Sequence, residues 1–367
     1  MKNTFGNNIT FTLFGESHGT AIGVVIDGIS PGLVVDEEYI AEKLARRRPS
    51  SSIDTARREA DKFVILSGVF EGKTTGTPIA IVIPNEDTHS ADYGKTHGIA
   101  RPSHADFAAH CKYHGFEDWR GGGHFSGRIT AALVAAGAIV MHALEDLGIS
   151  VGAHILSCGK AYDRHFDDVA DDVASLRGAA FPVLDERSRE MIEREIISAK
   201  EAETSVGGVV QAAIVGVPAG VGEPWFDSVE GMLSHALFSL GGVKGVEFGL
   251  GFAFADVRGD ECNDAFRVEN GAIVTETNNN GGINGGITNG MPIVFSCAVK
   301  PTPSISREQK TVNYLTNENT TLSIVGRHDP AIVRRICPVI ESASAIVIAD
   351  MLAGRFGTDV LTRGITL

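Results

Sequence analysis

The chain has no surplus of positive charge. Its 367 residues carry 32 Lys and Arg against 46 Asp and Glu, a formal net charge of −14. That balance disfavours nonspecific binding to nucleic acid or to an anionic membrane. Cysteine is scarce: Cys111, Cys158, Cys262, Cys297 and Cys337 are odd in number, far apart and include no C-x-x-C pair. Reduced, mostly buried thiols are the expectation, rather than a disulfide framework or a cysteine zinc site. The longest apolar run, Ala131 to Leu144, is broken by His142 and reads as too short to span a bilayer. The N-terminus, Met1-Lys2-Asn3-Thr4, leads into strand-like sequence without an apolar signal segment, so a cytoplasmic location is expected. No linker rich in Pro, Ser or charge divides the chain, and no regular β-α-β rhythm points to a doubly wound nucleotide fold.

What is present is ordinary globular material, with 43% hydrophobic and 21% charged residues. One α+β domain over residues 1–367 is the simplest organisation. Strand-like runs from Ile9 to Ile26 flank a Gly-Glu-Ser-His-Gly turn. Asp36 reads as the N-cap of a helix through Arg48, stopped by Pro49. Phe63–Val69, Pro78–Ile83, Val209–Val217, Ala272–Thr277 and Pro292–Val299 read as strands. Asn85 to Gly123 is polar and rich in His, Gly and Asp, a stretch of loops and short elements in which function tends to reside. Arg128–Leu147 is apolar almost all round and reads as a buried helix closed by Gly148. Asp185–Glu203 is a surface helix, and Asp227–Leu240 carries a capping-box-like Asp227/Glu230 pair. Asp329-Pro330 has the form of an N-cap and first residue of a last long helix, kinked at Pro338.

Against the acidic background the arginines cluster: Arg46, Arg47 and Arg48, then Arg57 and Arg58, with Arg101, Arg120, Arg128 and Arg327 elsewhere. Each alone reads as a solvated surface residue; together, near glycine-rich loops, they suit a small, multiply charged anion. Gly15-Glu16-Ser17-His18-Gly19 puts a histidine between glycines, where it is either an acid–base group or an ordinary turn residue. Arg101-Pro102-Ser103-His104-Ala105-Asp106 gathers a cation, an imidazole and a carboxylate. His104 and His110, with Asp106 and His114 nearby, have the look of metal ligands, but the i, i+4 spacing of a zincin helix is missing, and no metal is expected. Trp119-Arg120-Gly121-Gly122-Gly123-His124-Phe125-Ser126-Gly127-Arg128 leads into the buried helix. Its free N–H groups form either a phosphate cradle or an incidental cap; no Gly-Lys-Ser/Thr follows, so it is not a Walker loop. Thr277–Gly290 pairs glycines every few residues, and Lys300-Pro301-Thr302-Pro303-Ser304 follows the next strand. Gly326-Arg327-His328-Asp329-Pro330 is compatible with both a helix cap and a carboxylate that faces a pocket.

In this order, GESHG, D-G-x-x-P-G, RRRP, SGVFEGKTTGTPI, RPSHAD, GGG-x-x-S-x-R, GVPAGVGEP, VKGVEFG, NGGINGGITNG, KPTPSI and GRHDP resemble the chorismate synthase family, from about Gly6 to Asp350. The resemblance implies a homotetrameric α/β sandwich whose β layers enclose helices. It implies a lyase of aromatic amino acid biosynthesis that requires reduced FMN (FMNH2). The reaction is the anti-1,4-elimination of phosphate from 5-enolpyruvylshikimate 3-phosphate. Carried over by position, His18 would protonate the departing phosphate, His104 would protonate the reduced flavin or hold it protonated, and Asp329 would assist proton removal through the flavin N5. Arg47, Arg57, Arg101, Ser126, Arg128 and Arg327 would bind the substrate. FMN would contact His124, Phe125, Ser126, Gly241, Gly242, Gly285, Lys300, Pro301, Thr302, Pro303, Ser304 and Arg327, and Arg47 would meet NADP. The reductant is left open between NADPH and an external flavin reductase.

The chain departs from the family pattern at His124-Phe125, where Arg-Ser is usual, at Ile129 for a glutamate, and at Ile53 for an arginine. Each missing guanidinium removes a charge-assisted hydrogen bond worth roughly 1.5–3 kcal/mol in a desolvated pocket. The alternative readings are therefore a flavin- or substrate-binding paralogue with impaired or lost catalysis and, more remotely, a metal-dependent hydrolase built on the histidine-rich loop.

Overall fold

Ten strands, two of them only two residues long, form two antiparallel sheets in the computed structural model, which describes residues 2–49, 59–86, 97–324 and 329–365. The first sheet contains β1 (Thr4–Phe5), β2 (Thr10–Gly15), β3 (Ala21–Asp27), β4 (Val64–Ser67) and β5 (Ile79–Pro84), in the order β1-β2-β3-β5-β4. The second contains β6 (Ser150–Cys158), β7 (Ala161–Tyr162), β8 (Gly208–Val215), β9 (Val243–Phe248) and β10 (Ile293–Val299), in the order β9-β10-β8-β6-β7. Alternation along β5 buries Ile79, Ile81 and Ile83 on one face, and in-register pairing with β3 sets Ile81 opposite Val24.

The helices of eight residues or more among the described residues are α1 (Glu37–Arg47), α2 (Asp106–Tyr113), α3 (Thr130–Asp146), α4 (Glu186–Glu201), α5 (Val229–Phe238) and α6 (Val333–Phe356). Helix α3 packs on β3 and β5 of the first sheet, α6 packs on β6 and β8 of the second, and the two helices lie against each other. The molecule is thus an α+β sandwich with its sheets outside and two apolar helices within. The segments Gly127–Asp146 and Val333–Phe356 are long and apolar enough to cross a membrane, unlike the shorter run read from the sequence. Yet 83% and 100% of their apolar windows are buried in the fold, the mark of core helices. Three cysteines, Cys158, Cys297 and Cys337, are buried and all five are free. Burial pushes the Cys158 and Cys297 thiols up to about 12, which leaves them unreactive.

The Asp36 cap forms as read: its carboxylate accepts from Glu38 N at 2.9 Å and Tyr39 N at 3.0 Å. Two other caps differ. Ser228, not Asp227, caps α5, accepting from Gly231 N at 2.9 Å. The last helix begins at Val333, so its N-cap position falls on Ile332, which offers no side-chain cap; Asp329 lies three residues earlier and is ion-paired with Arg335 of the first turn. It continues through Pro338 as far as Phe356.

The α3–α6 crossing depends on Gly137. A Cβ there would lie 2.4 Å from Ser342 Cβ and 2.8 Å from Ser342 Cα. Overpacking against backbone costs about 1–3 kcal/mol, and alanine's better helix propensity returns about 1. Gly137→Ala should therefore lower the urea unfolding midpoint, with a net loss of up to about 2 kcal/mol. An unchanged or higher midpoint would show that the helices can separate at no cost.

Candidate active site

One cavity of about 760 Å³ opens where the β2–β3 turn, the end of α1, the segment before α3 and the start of α6 converge. Its volume falls in the usual range for a bound small molecule, roughly 300–1,000 Å³. His18, Arg47, Arg101, His104, His124, Phe125, Ser126, Arg128, Gly241, Thr302, Ser304 and Asp329 all line it, drawn from seven separate stretches of chain. Gly242 and Lys300 sit just behind: Lys300 N donates to Gly242 O at 2.9 Å, and Lys300 Nζ donates to Ser103 O at 2.5 Å. Pro301 and Pro303 flank Thr302 without reaching the wall. Gly285 lies in the turn between Ile283–Asn284 and Ile287–Thr288, away from this cavity. Arg57, Arg58, Arg327, His328 and Ile53 fall outside the described residues.

His18 is 8% exposed, and its Nδ1 lies 3.0 Å from Ser17 Oγ. The Ser17 amide donates to Gly123 O at 3.1 Å, which ties the histidine turn to the glycine run. Gly121, Gly122 and Gly123 all have positive φ, and the run forms irregular 3-10 turns rather than a free helix N-terminus. Ser126 caps only the 3-10 turn Gly127–Ile129 that leads into α3, its Oγ accepting from Arg128 N at 3.3 Å.

His104 is held by Asp106, a carboxylate that the sequence offered only as part of an anion or metal site. Asp106 Oδ1 lies 2.7 Å from His104 Nδ1, and Arg101 forks onto both Asp106 oxygens, at 2.8 Å from Nε and 2.6 Å from Nη2. Burial pushes the Asp106 carboxyl up, but the hydrogen bonds from Arg101 and His104 outweigh it and hold the group well below the usual carboxylate range. An ionised Asp106 only accepts, so Nδ1 carries the hydrogen and the imidazole presents Nε2 for chemistry. His110 pairs with Glu117 at 3.1 Å rather than with His104. Among the described residues no three His, Cys, Asp or Glu side chains gather as a metal site.

The arginines are paired. Arg47 Nη2 reaches Asp61 Oδ2 at 2.9 Å, Arg128 Nη1 reaches the other Asp61 oxygen, and Arg128 Nη2 meets Glu59 at 2.9 Å. Burial, set against the nearby Asp61 carboxylate, lowers the Arg47 guanidinium to about 10, still charged at neutral pH. Arg335, bonded to Asp329 and through Nε to Arg47 O at 2.9 Å, adds a further cation to the wall. Asp61, Glu59 and Arg335 were missed in the sequence. The one available signal was the Arg334-Arg335 pair at the start of an otherwise apolar helix.

Where the sequence departs from the family pattern, local reasons are visible. His124 Nδ1 lies 2.8 Å from Gly15 O and anchors the β2 end, while Phe125 meets the Tyr113 ring edge-on at 6.1 Å. Ile129 is buried as part of the hydrophobic core.

A family model described as chorismate synthase matches residues 9–353. A protein named chorismate synthase from Methanocella arvoryzae is 48% identical over 95% of this chain and 94% of its own length. A second of that name from Thermococcus kodakarensis is 44% identical over 98% and 99%. A solved structure described as a crystal structure of chorismate synthase superposes with a TM-score of 0.76 at 30% identity, covering 96% of this chain and 94% of that one. With the family match, the near-complete coverage and the shared fold in agreement, the chain belongs to the chorismate synthase family, carbon–oxygen lyases of the shikimate pathway.

Proposed function

We propose that the protein catalyses the anti-1,4-elimination of phosphate from 5-enolpyruvylshikimate 3-phosphate, giving chorismate, with reduced FMN bound in the same cavity. The observation that carries this reading is the convergence of His18, His104, Asp329 and three arginines on one hollow of about 760 Å³. The substrate brings a phosphate and two carboxylates, and Arg47, Arg101 and Arg128 offer planar forks matched to such groups. His18, fixed by Ser17, supplies the proton that leaves with the phosphate. Asp329, steadied by Arg335, assists removal of the ring proton. His104, oriented by Asp106, keeps a proton available beside the cofactor.

The walls also suit the flavin. Thr302 Oγ1 is buried with no hydrogen-bond partner among the described residues, so a donor or acceptor is waiting there for a ligand. Phe125 and Trp119 offer aromatic surface, and Gly241 a side-chain-free stretch of wall. His124, Phe125, Ser126, Gly241, Gly242, Lys300 and the Pro301–Ser304 stretch would hold FMN, with Arg327 and, through assembly, Gly285. When bound, reduced FMN supplies transient electron density that eases C–O cleavage where the C–H bond is not acidic. A homotetramer belongs to the same reading, supported by the exposed rings of Trp225, Phe226 and Phe252, at 85%, 94% and 85%.

An anaerobic assay with photoreduced FMN should release phosphate and chorismate together. No release at any flavin concentration would overturn the reading, and flavin binding without product would favour the non-catalytic paralogue. The same assay with NADPH as the only reductant decides whether the chain reduces its own flavin, as an NADP contact at Arg47 requires, or depends on an external reductase.

A further inference from the structure

The two guanidiniums with most to offer an anionic substrate are already occupied. Arg47 and Arg128 share the single carboxylate of Asp61, whose side chain is 0% exposed, and Glu59 takes a second edge of Arg128. All four side chains line the cavity. Among the described residues, two guanidiniums against two carboxylates balance in charge at this corner, although its geometry is that of an oxyanion site. One oxygen of Asp61 faces each arginine, as an oxygen of a bound phosphate or carboxylate would. Asp61 also has φ +53, a left-handed conformation that side-chain-bearing residues seldom adopt and that its two ion pairs hold in place.

We propose that Asp61 is a resident counter-ion: it holds Arg47 and Arg128 in position and is displaced by the substrate's oxyanion, then re-docks as product leaves. The identity of the substrate rests on the function proposed above; competition between Asp61 and an oxyanion does not. The device answers a problem in the chemistry. The reaction generates inorganic phosphate inside a ring of cations, and a bare arginine pair would retain it. A tethered carboxylate competes at high local concentration and opposes retention.

The test is Asp61→Asn in the full-length protein, with inorganic phosphate as the probe in isothermal titration calorimetry. Removing the resident charge should lower the phosphate Kd at least tenfold. Asp61→Glu, which keeps the carboxylate, should stay near the parent value. In steady state, Asp61→Asn should show a lower KM and inhibition at lower phosphate concentration, without a rise in kcat. A carboxylate that only braces the arginines would give the opposite sign, because loosened guanidiniums bind anions less well. An unchanged or higher Kd in a folded Asp61→Asn protein overturns the proposal. If that variant does not fold, Glu59→Gln decides in its place: it should shift Kd in the same direction by a smaller factor, and no shift is fatal. Failure of the parent enzyme in the anaerobic assay would remove the assigned substrate and leave the phosphate titration intact as a test of the displacement.

Discussion

His18→Ala is expected to turn over substrate about 100- to 10,000-fold more slowly than the parent enzyme, the range by which a positioned acid or base assists proton transfer. The expectation rests on position: the ring is nearly buried, fixed at Nδ1 by Ser17, and opens on the same cavity as the arginines that would hold the phosphate. His104→Ala should fall by a comparable factor for a different reason. Its imidazole is oriented through Nδ1 by Asp106, itself clamped by Arg101, so under the proposed function the lost group would be a proton reservoir with a set tautomer. The two losses are separable by pH. Loss of His18 should erase the limb of the profile that reports a group needed in its protonated form for phosphate departure. Loss of His104 should raise the reduced-flavin requirement as well as lower the rate. Both variants should keep the parent's unfolding midpoint within a small margin, since neither ring fills the hydrophobic core. Turnover within tenfold of the parent in a folded His18→Ala protein would end its role as the acid.

The secondary structure was legible wherever a local signal was strong. The Asp36 cap, the all-apolar α3 and the amphipathic α4 declare themselves through residues at most four apart, because capping and helix periodicity are short-range physics. The expected cap at Asp329 did not form because the helix starts at Val333, which leaves Asp329 three residues before the N-cap position and paired with Arg335 instead. Asp227 lost its capping role to its neighbour Ser228 by a shift of one residue, the scale on which helix ends are least determined. The candidate site was readable as a set of side chains and unreadable as a circuit. His18, His104 and Arg128 stood out by composition, but the partner of Arg128 sits 67 residues away at Asp61, and no pattern in the chain announces that approach. Asp106 was visible as a neighbour of His104; its grip on Nδ1 required the left-handed turn at Ser103 that folds the segment back on itself.

Gly121→Ala should be nearly as damaging as loss of the His18 imidazole, although it adds a single methyl group. The Cβ would stand 2.1 Å from His18 Cε1, 2.3 Å from Nδ1 and 3.0 Å from Ser17 Oγ. The backbone at this position has φ +59, where a side chain adds about 1–2 kcal/mol of strain before any contact is counted. Carbon atoms cannot approach so closely, so the imidazole must leave its place or the glycine run must shift. Either movement breaks the alignment between His18 and the arginine wall, and misplacement by about 1 Å can cost about 100-fold in rate. The double variant His18→Ala/Gly121→Ala isolates the cause. With the imidazole gone, most of the collision goes with it, and the second substitution should add little to the first. We therefore expect turnover of the double variant to match His18→Ala within about threefold, rather than falling by the product of the two single losses. Multiplying losses would mean that Gly121 acts through the fold and not through His18, and undiminished turnover of Gly121→Ala would show that the histidine does its work from some other position.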